Sequence, residues 1–181
     1  MLYEYFIAGP CGVGKSAISS LFAQQTVLKY LDFDELRATK NSSACSLRGL
    51  NIMECLSQEL DNFSVSFLLD IGGDTVFRQN TNNYGRLKQI QQLRNKYSAK
   101  VVILTAKKGV LFERYIKTEI KAIVDKEVNT IYFNRLRSDW LTFEQPRWQE
   151  CQDINIDTSF LMVDGVIGQI KVDINMNMGL L

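Results

Sequence analysis

The stretch Gly9-Pro10-Cys11-Gly12-Val13-Gly14-Lys15-Ser16 constrains this chain more than any other. It fits G-x-x-x-x-G-K-[ST], the pattern of a phosphate-binding loop. Glycines at its first and sixth positions let the backbone adopt conformations that side chains forbid, so that successive N–H groups point into one concavity and cradle phosphate oxygens. Lys15 adds a point charge for β- and γ-phosphates, and the Ser16 hydroxyl is a ligand for Mg²⁺. A helix beginning near Gly14 would contribute its positive N-terminal end.

Context decides whether such a match means anything, since the fixed positions coincide by chance in about one chain of this length in two hundred. The run Tyr3 to Ala8 is aromatic and aliphatic and reads as a buried strand. After the loop, Lys15 to Gln25 places Ile18, Leu21 and Phe22 at helical spacing, with Ala17 in the first turn. Strand, glycine loop and helix in that order make a nucleotide phosphate site, with residues 9–17 as its phosphate-binding set.

Composition narrows the chemistry. With 181 residues, 46% hydrophobic and 23% charged, the chain reads as one soluble globular domain. Its 21 basic and 20 acidic residues nearly cancel, which gives no electrostatic reason to expect a nucleic-acid or membrane partner. No long apolar run or basic leader is visible, so the expectation is a cytoplasmic protein, monomeric or weakly dimeric. Histidine is absent, which removes imidazole acid/base chemistry. Cys11, Cys45, Cys55 and Cys151 lack C-x-x-C spacing, so zinc is not expected. Cys11 lies in the phosphate loop, where backbone N–H groups would favour its thiolate; the simpler reading is a small filler.

Further along, Thr26 to Asp34 reads as a second strand ending in two acids. On a continuing strand Asp32 and Asp34 would share a face, opening on the ligand crevice at the strand's carboxyl end. One could hold the waters of Mg²⁺ and the other take a proton from an attacking hydroxyl. Alternatively, Asp34 caps the following helix. A helix over 48–62 opens with Arg48, a candidate for a substrate anion or an ordinary solvated residue. The stretch Phe63 to Asp70 reads as a third strand closing on Asp70, as a metal-orienting acid would, followed by Gly72, Gly73 and Asp74. Helices are expected over Tyr84–Tyr97 and Val110–Val124, a buried strand over Lys100–Thr105, a short strand over Asp153–Thr158 and a last helix over 159–170 with Phe160 on its apolar side. Lys126, Arg135 and Arg137 lie where a mobile lid within 115–140 would bring cations over a γ-phosphate. Five strands alternating with helices imply an α/β domain with a parallel sheet and right-handed crossovers.

These residues together resemble shikimate kinase and related small P-loop kinases. The phosphate loop matches, Asp32-Phe33-Asp34 falls at the family's D-x-D, and Gly72-Gly73 matches two of three substrate-contacting glycines. Glu113-Arg114 is similar to the helix segment carrying an adenine-stacking arginine, and Pro146 onward into Asp157-Thr158 is similar to the segment entering the adenine pocket. The resemblance implies a P-loop three-layer sandwich with sheet order 2-3-1-4-5, and ATP and Mg²⁺ as cofactors. It implies Ser16, Asp32 and Asp70 about the metal and Asp34 on the acceptor hydroxyl. Arg114, Asp157 and Thr158 would lie about adenine, Arg135 and Arg137 over the transferring group, and Arg48, Gly72, Gly73 and Asp74 about the acceptor. Three departures bear on specificity. Asp74 replaces the third glycine, Glu144 stands where the family grips a substrate carboxylate with arginine, and the lid lacks the usual arginine-proline pair. An ion pair becomes a repulsion at such a position, so the acceptor is expected to differ from shikimate. A nucleoside or nucleotide kinase and a non-enzymatic nucleotide-binding regulator are the alternatives.

Overall fold

The computed structural model describes residues 4–40, 51–71, 84–119 and 151–178. Arg48, Gly72, Gly73, Asp74, Lys126, Arg135, Arg137 and Glu144 lie outside these segments, as does most of the expected lid.

In chain order the elements are β1 (Tyr5–Ala8), α1 (Lys15–Thr26), β2 (Lys29–Asp32), α2 (Phe33–Lys40), α3 (Asn51–Asp61), β3 (Phe67–Ile71), α4 (Tyr84–Tyr97), β4 (Lys100–Thr105), α5 (Lys108–Glu119), β5 (Ile154–Asp157) and α6 (Val163–Met178). The strands form one five-stranded sheet in the order β2-β3-β1-β4-β5, and each neighbouring pair is parallel. Parallel neighbours need crossovers, and the helices that supply them cover the sheet and bury both faces.

That double burial explains why the central strands are mostly apolar. In β1, Tyr5 and Ile7 face one core with Val102 and Leu104 of β4, against Ile18 and Phe22 of α1 and Ile167 and Ile170 of α6. Phe6 and Ala8 point the other way with Val101 and Ile103, into a second core shared with Leu56 and Leu60 of α3 and Ile90 and Leu93 of α4. Burying one Phe or Leu side chain fully stabilises by roughly 1.5–3 kcal/mol. Phe6, Phe22, Leu68 and Leu104 are all essentially inaccessible. These anchors fix the sheet beneath the loops.

Polar ties set the flanks. Tyr97 donates its hydroxyl proton to Asp61 Oδ1 (2.7 Å), and Lys96 reaches Asp61 Oδ2 (2.6 Å), so α4 docks on α3. At the entry to β5, Arg94 Nη2 donates to Asp153 Oδ1 (2.7 Å) while Asp153 Oδ2 accepts the Val101 N–H (2.8 Å). One carboxylate thus ties the entry of β5 to α4 through one oxygen and to β4 through the other.

Among the boundaries that differ from the sequence expectation, three shape the site and its flanks. β2 stops at Asp32 and helix α2 begins at once, so no strand continues through Asp34. β3 begins at Phe67, because residues 63–66 turn rather than extend. The last helix starts at Val163, not 159, and runs through Met178, a tail with little sequence pattern. Asp157 causes the delay: its Oδ1 accepts the Ser159 N–H (2.8 Å), and the resulting turn leaves Phe160 outside the helix and 80% exposed.

Candidate active site

The glycine loop joins β1 to α1 at the carboxyl edge of the sheet, where open parallel sheets bind their ligands. Gly9 is required by close approach: a Cβ there would lie 2.4 Å from the Leu104 carbonyl oxygen of β4. Gly14 is required by its backbone, φ 95°, since a Cβ would have room. Between them Val13 is buried and anchors the loop in the core, whereas Ser16 and Ala17 stay exposed at the start of α1. The first residues of a helix offer N–H groups with no partner inside the helix, aimed out of its end. Pro10 accepts from the Val13 N–H (3.4 Å) and from the Lys15 ammonium (3.2 Å), which holds the lysine across the loop. Cys11 packs at the edge of the core, the filler role.

Two carboxylates face this loop. Asp32 and Asp70 are register partners at the ends of β2 and β3. Asp70 is 97% buried, with a relative exposure of 3%. Burial pushes its pKa up to about 6, Lys15 and the Ser16 hydroxyl pull it down, and the charges of Asp32 and Asp34 add to the rise. Its Oδ1 is buried with no hydrogen-bond partner among the described residues. An orphaned, buried carboxylate oxygen beside a serine hydroxyl and a second carboxylate fits a small hard cation. Such ions take oxygen donors and retain several waters and substrate phosphates. Ser16, Asp32 and Asp70 could hold Mg²⁺ in this way. Among the described residues no group of three or more His, Cys, Asp or Glu side chains converges as a self-sufficient cage.

Asp34 is not beside Asp32 on a strand, which corrects the sequence expectation. The helix cap there is Asp32: its Oδ1 accepts the N–H groups of Asp34 (2.8 Å) and Glu35 (3.2 Å). Asp34 itself occupies the first turn of α2, exposed, and close enough for Asp70 to feel its charge. The chain turns at Phe33, whose ring is buried in the second core and which satisfies a strand pattern and a helix pattern equally.

On the other side of the loop, Arg114 of α5 donates to Thr158 Oγ1 (2.9 Å), to the Thr158 carbonyl (2.6 Å) and to the Val13 carbonyl (3.5 Å). The Thr158 hydroxyl lies 3.3 Å from the same Val13 carbonyl. Arg114 and Thr158 therefore meet, as their pairing in the sequence reading requires, but they meet on the backbone of the phosphate loop. Asp157 turns back on Ser159, whose hydroxyl and N–H hold its pKa below the usual carboxylate range.

One residue escaped the sequence reading. Tyr30, two before Asp32 on the same strand face, carries its hydroxyl to 3.4 Å from Asp32 Oδ2 and 3.5 Å from Asp70 Oδ2. Burial, then the charges of Asp70 and Asp32, push its pKa upward. The available signal was period-2 alternation, which puts any residue at position 30 on the face of Asp32.

A parallel sheet ordered 2-3-1-4-5, with a glycine loop between its central strand and a helix, defines the P-loop kinase fold. Solved structures agree over nearly the whole chain. Shikimate kinase from Acinetobacter baumannii, in complex with shikimate, matches at TM-score 0.67 and 20% identity, covering 98% of this chain and 95% of that one. A gluconokinase from Sinorhizobium meliloti 1021 matches at TM-score 0.64 and 14% identity, covering 98% and 97%. The YorR protein from Bacillus subtilis, in complex with phosphorylated GDP, matches at 0.63 and 14%, covering 97% of each chain. At these identities the likeness is one of fold. No protein-family model matches the chain, and no curated protein matches it significantly.

Proposed function

We propose that the chain is a small-molecule kinase that moves the γ-phosphoryl of Mg-ATP to a hydroxyl of a small acceptor. The observation that carries this reading is the pairing of Asp32 with Asp70 across β2 and β3, facing the loop that bears Lys15 and Ser16. A phosphate cradle alone binds nucleotide. A cradle with an orphaned buried carboxylate oxygen beside it also has a place for the cation that phosphoryl transfer needs.

In this reading residues 9–17 hold the phosphates, and Arg114, Asp157 and Thr158 lie on the adenine side. Ser16, Asp32 and Asp70 would hold Mg²⁺, which when bound would neutralise charge developing on the phosphates. Lys15 swings from the Pro10 carbonyl to the β- and γ-phosphates, stabilising charge on the transferring group. Asp34, at the mouth of the site, accepts the proton of the acceptor hydroxyl as its oxygen bonds to γ-phosphorus and ADP leaves. Arg135 and Arg137 would close over the transferring group, and Arg48, Gly72, Gly73 and Asp74 would surround the acceptor. Asp74 and Glu144 favour an acceptor without the carboxylate of shikimate, since negative charge there would repel one. The working unit is a monomer or weak dimer acting on a small molecule, without nucleic acid or membrane. No helix among the described residues is long and apolar enough to cross a membrane.

Lys15→Ala tests the centre of this reading. Turnover of Mg-ATP should fall at least 100-fold, because the point charge on the transferring phosphoryl is lost, an effect of about 3 kcal/mol or more. Unchanged nucleotide affinity and turnover would refute it.

A further inference from the structure

A phenol is an odd choice for position 30. The ring packs against the core between β2 and α1, where phenylalanine would serve as well. The hydroxyl adds a desolvation cost, which is recovered only through hydrogen bonds. Its neighbours are the two carboxylates of the candidate cation site, at 3.4 and 3.5 Å, and the Ser16 hydroxyl, which counters the rise in its pKa. A phenol has a single proton. It cannot satisfy Asp32 Oδ2 and Asp70 Oδ2 separately, and both distances are at the long end of hydrogen bonding. The hydroxyl is therefore one neutral donor shared by two acids.

Such a donor has a specific consequence. Asp32 is held on its other side, where Oδ1 caps α2, so the Tyr30 hydroxyl addresses only Oδ2. Asp70 Oδ1 is orphaned, so here too the hydroxyl touches the other oxygen. The shared contact thus favours, in each carboxyl group, the rotation that turns Oδ2 toward Tyr30, and it leaves Asp70 Oδ1 without a hydrogen bond. Groups one shell out that orient ligand oxygens in this way are worth about 10–100-fold in metal affinity.

We infer that Tyr30 is a positioning residue for the divalent cation: its hydroxyl, placed between Asp32 and Asp70, holds both carboxylates in the orientation that receives the ion. The inference rests on the nucleotide-site reading above and goes beyond it, because it assigns a metal-tuning function to a residue outside the phosphate loop and the acidic pair.

The test is the affinity for Mn²⁺, a paramagnetic substitute for Mg²⁺, measured by electron paramagnetic resonance on the ADP complex of the full chain. ADP affinity without metal, in EDTA, is measured alongside. Tyr30→Phe keeps the ring and removes only the donor. The expected result is Mn²⁺ binding weakened about tenfold with metal-free ADP affinity unchanged. Tyr30→Leu, which fills similar core space with no donor, takes its place if Tyr30→Phe does not fold, with the same expected and overturning results. Unchanged or tighter Mn²⁺ binding by Tyr30→Phe, with ADP still bound, overturns the role of Tyr30 and leaves the nucleotide site standing. Failure of the unmodified protein to bind ADP in EDTA overturns both.

Discussion

Asp70 is a carboxylate buried at the edge of the sheet, and its titration has a definite sign. Burial raises its folded pKa to about 6, against an unfolded value of 3.8. The folded state therefore holds this proton more tightly than the unfolded chain does. The stabilisation is complete below pH 3.8 and is lost as pH rises through about 6. Asp61 and Asp157 are shifted the other way, so both are already ionised above pH 5 and add no slope there. The sequence contains no histidine to titrate in the same window. In EDTA, urea denaturation should therefore show stability falling between pH 5 and pH 7, with Asp70→Asn removing most of that fall. A flat profile in the unmodified protein would mean that Asp70 is solvated after all. The place of Asp70, at the end of an apolar strand, was legible in the sequence. Tyr30 was not, because an aromatic in a strand is ordinary and only the fold places its hydroxyl beside a residue forty positions away.

At the scale of elements, the least comfortable junction is the end of α1. Val27 caps it at φ 59°, ψ 26°, 89% exposed, while the Leu28 N–H reaches back to the Ala23 carbonyl at 3.1 Å. That is a left-handed helix terminus normally given to glycine, and a β-branched side chain is strained there. Val27→Gly should raise stability by about 1 kcal/mol in urea denaturation, since the valine contributes little packing to set against the strain. A loss of stability would contradict the geometry. The elements themselves were unequally legible. β4 and α4 matched their sequence bounds, Lys100–Thr105 and Tyr84–Tyr97, because an uninterrupted aliphatic run and a clear helical period admit one reading each. β2 and α6 did not. In both places an aspartate makes a local side-chain hydrogen bond, Asp32 to the start of α2 and Asp157 to Ser159, and pattern alone does not reveal which backbone N–H a carboxylate will choose.

For the whole molecule, the sheet order and the two cores bring one loop, two strand-end acids and an arginine–threonine pair to one edge. That convergence followed from the glycine loop and its neighbours in sequence. The acceptor does not follow from it: in the kinase reading the phosphates are held at the ends of β1, β2 and β3, whereas the residues proposed to set specificity, Asp74 and Glu144, are departures from the shikimate kinase pattern in the sequence. The most direct measurement is release of ADP from Mg-ATP by the purified protein, alone and with shikimate, polyols, sugars and nucleosides in turn. The kinase account predicts that one class of acceptor accelerates release, that shikimate is a poor one, and that Asp34→Asn abolishes the acceleration while leaving ADP binding intact. Tight nucleotide binding with release that no acceptor alters, and that Asp34→Asn leaves unchanged, would contradict it and identify a nucleotide-binding regulator instead.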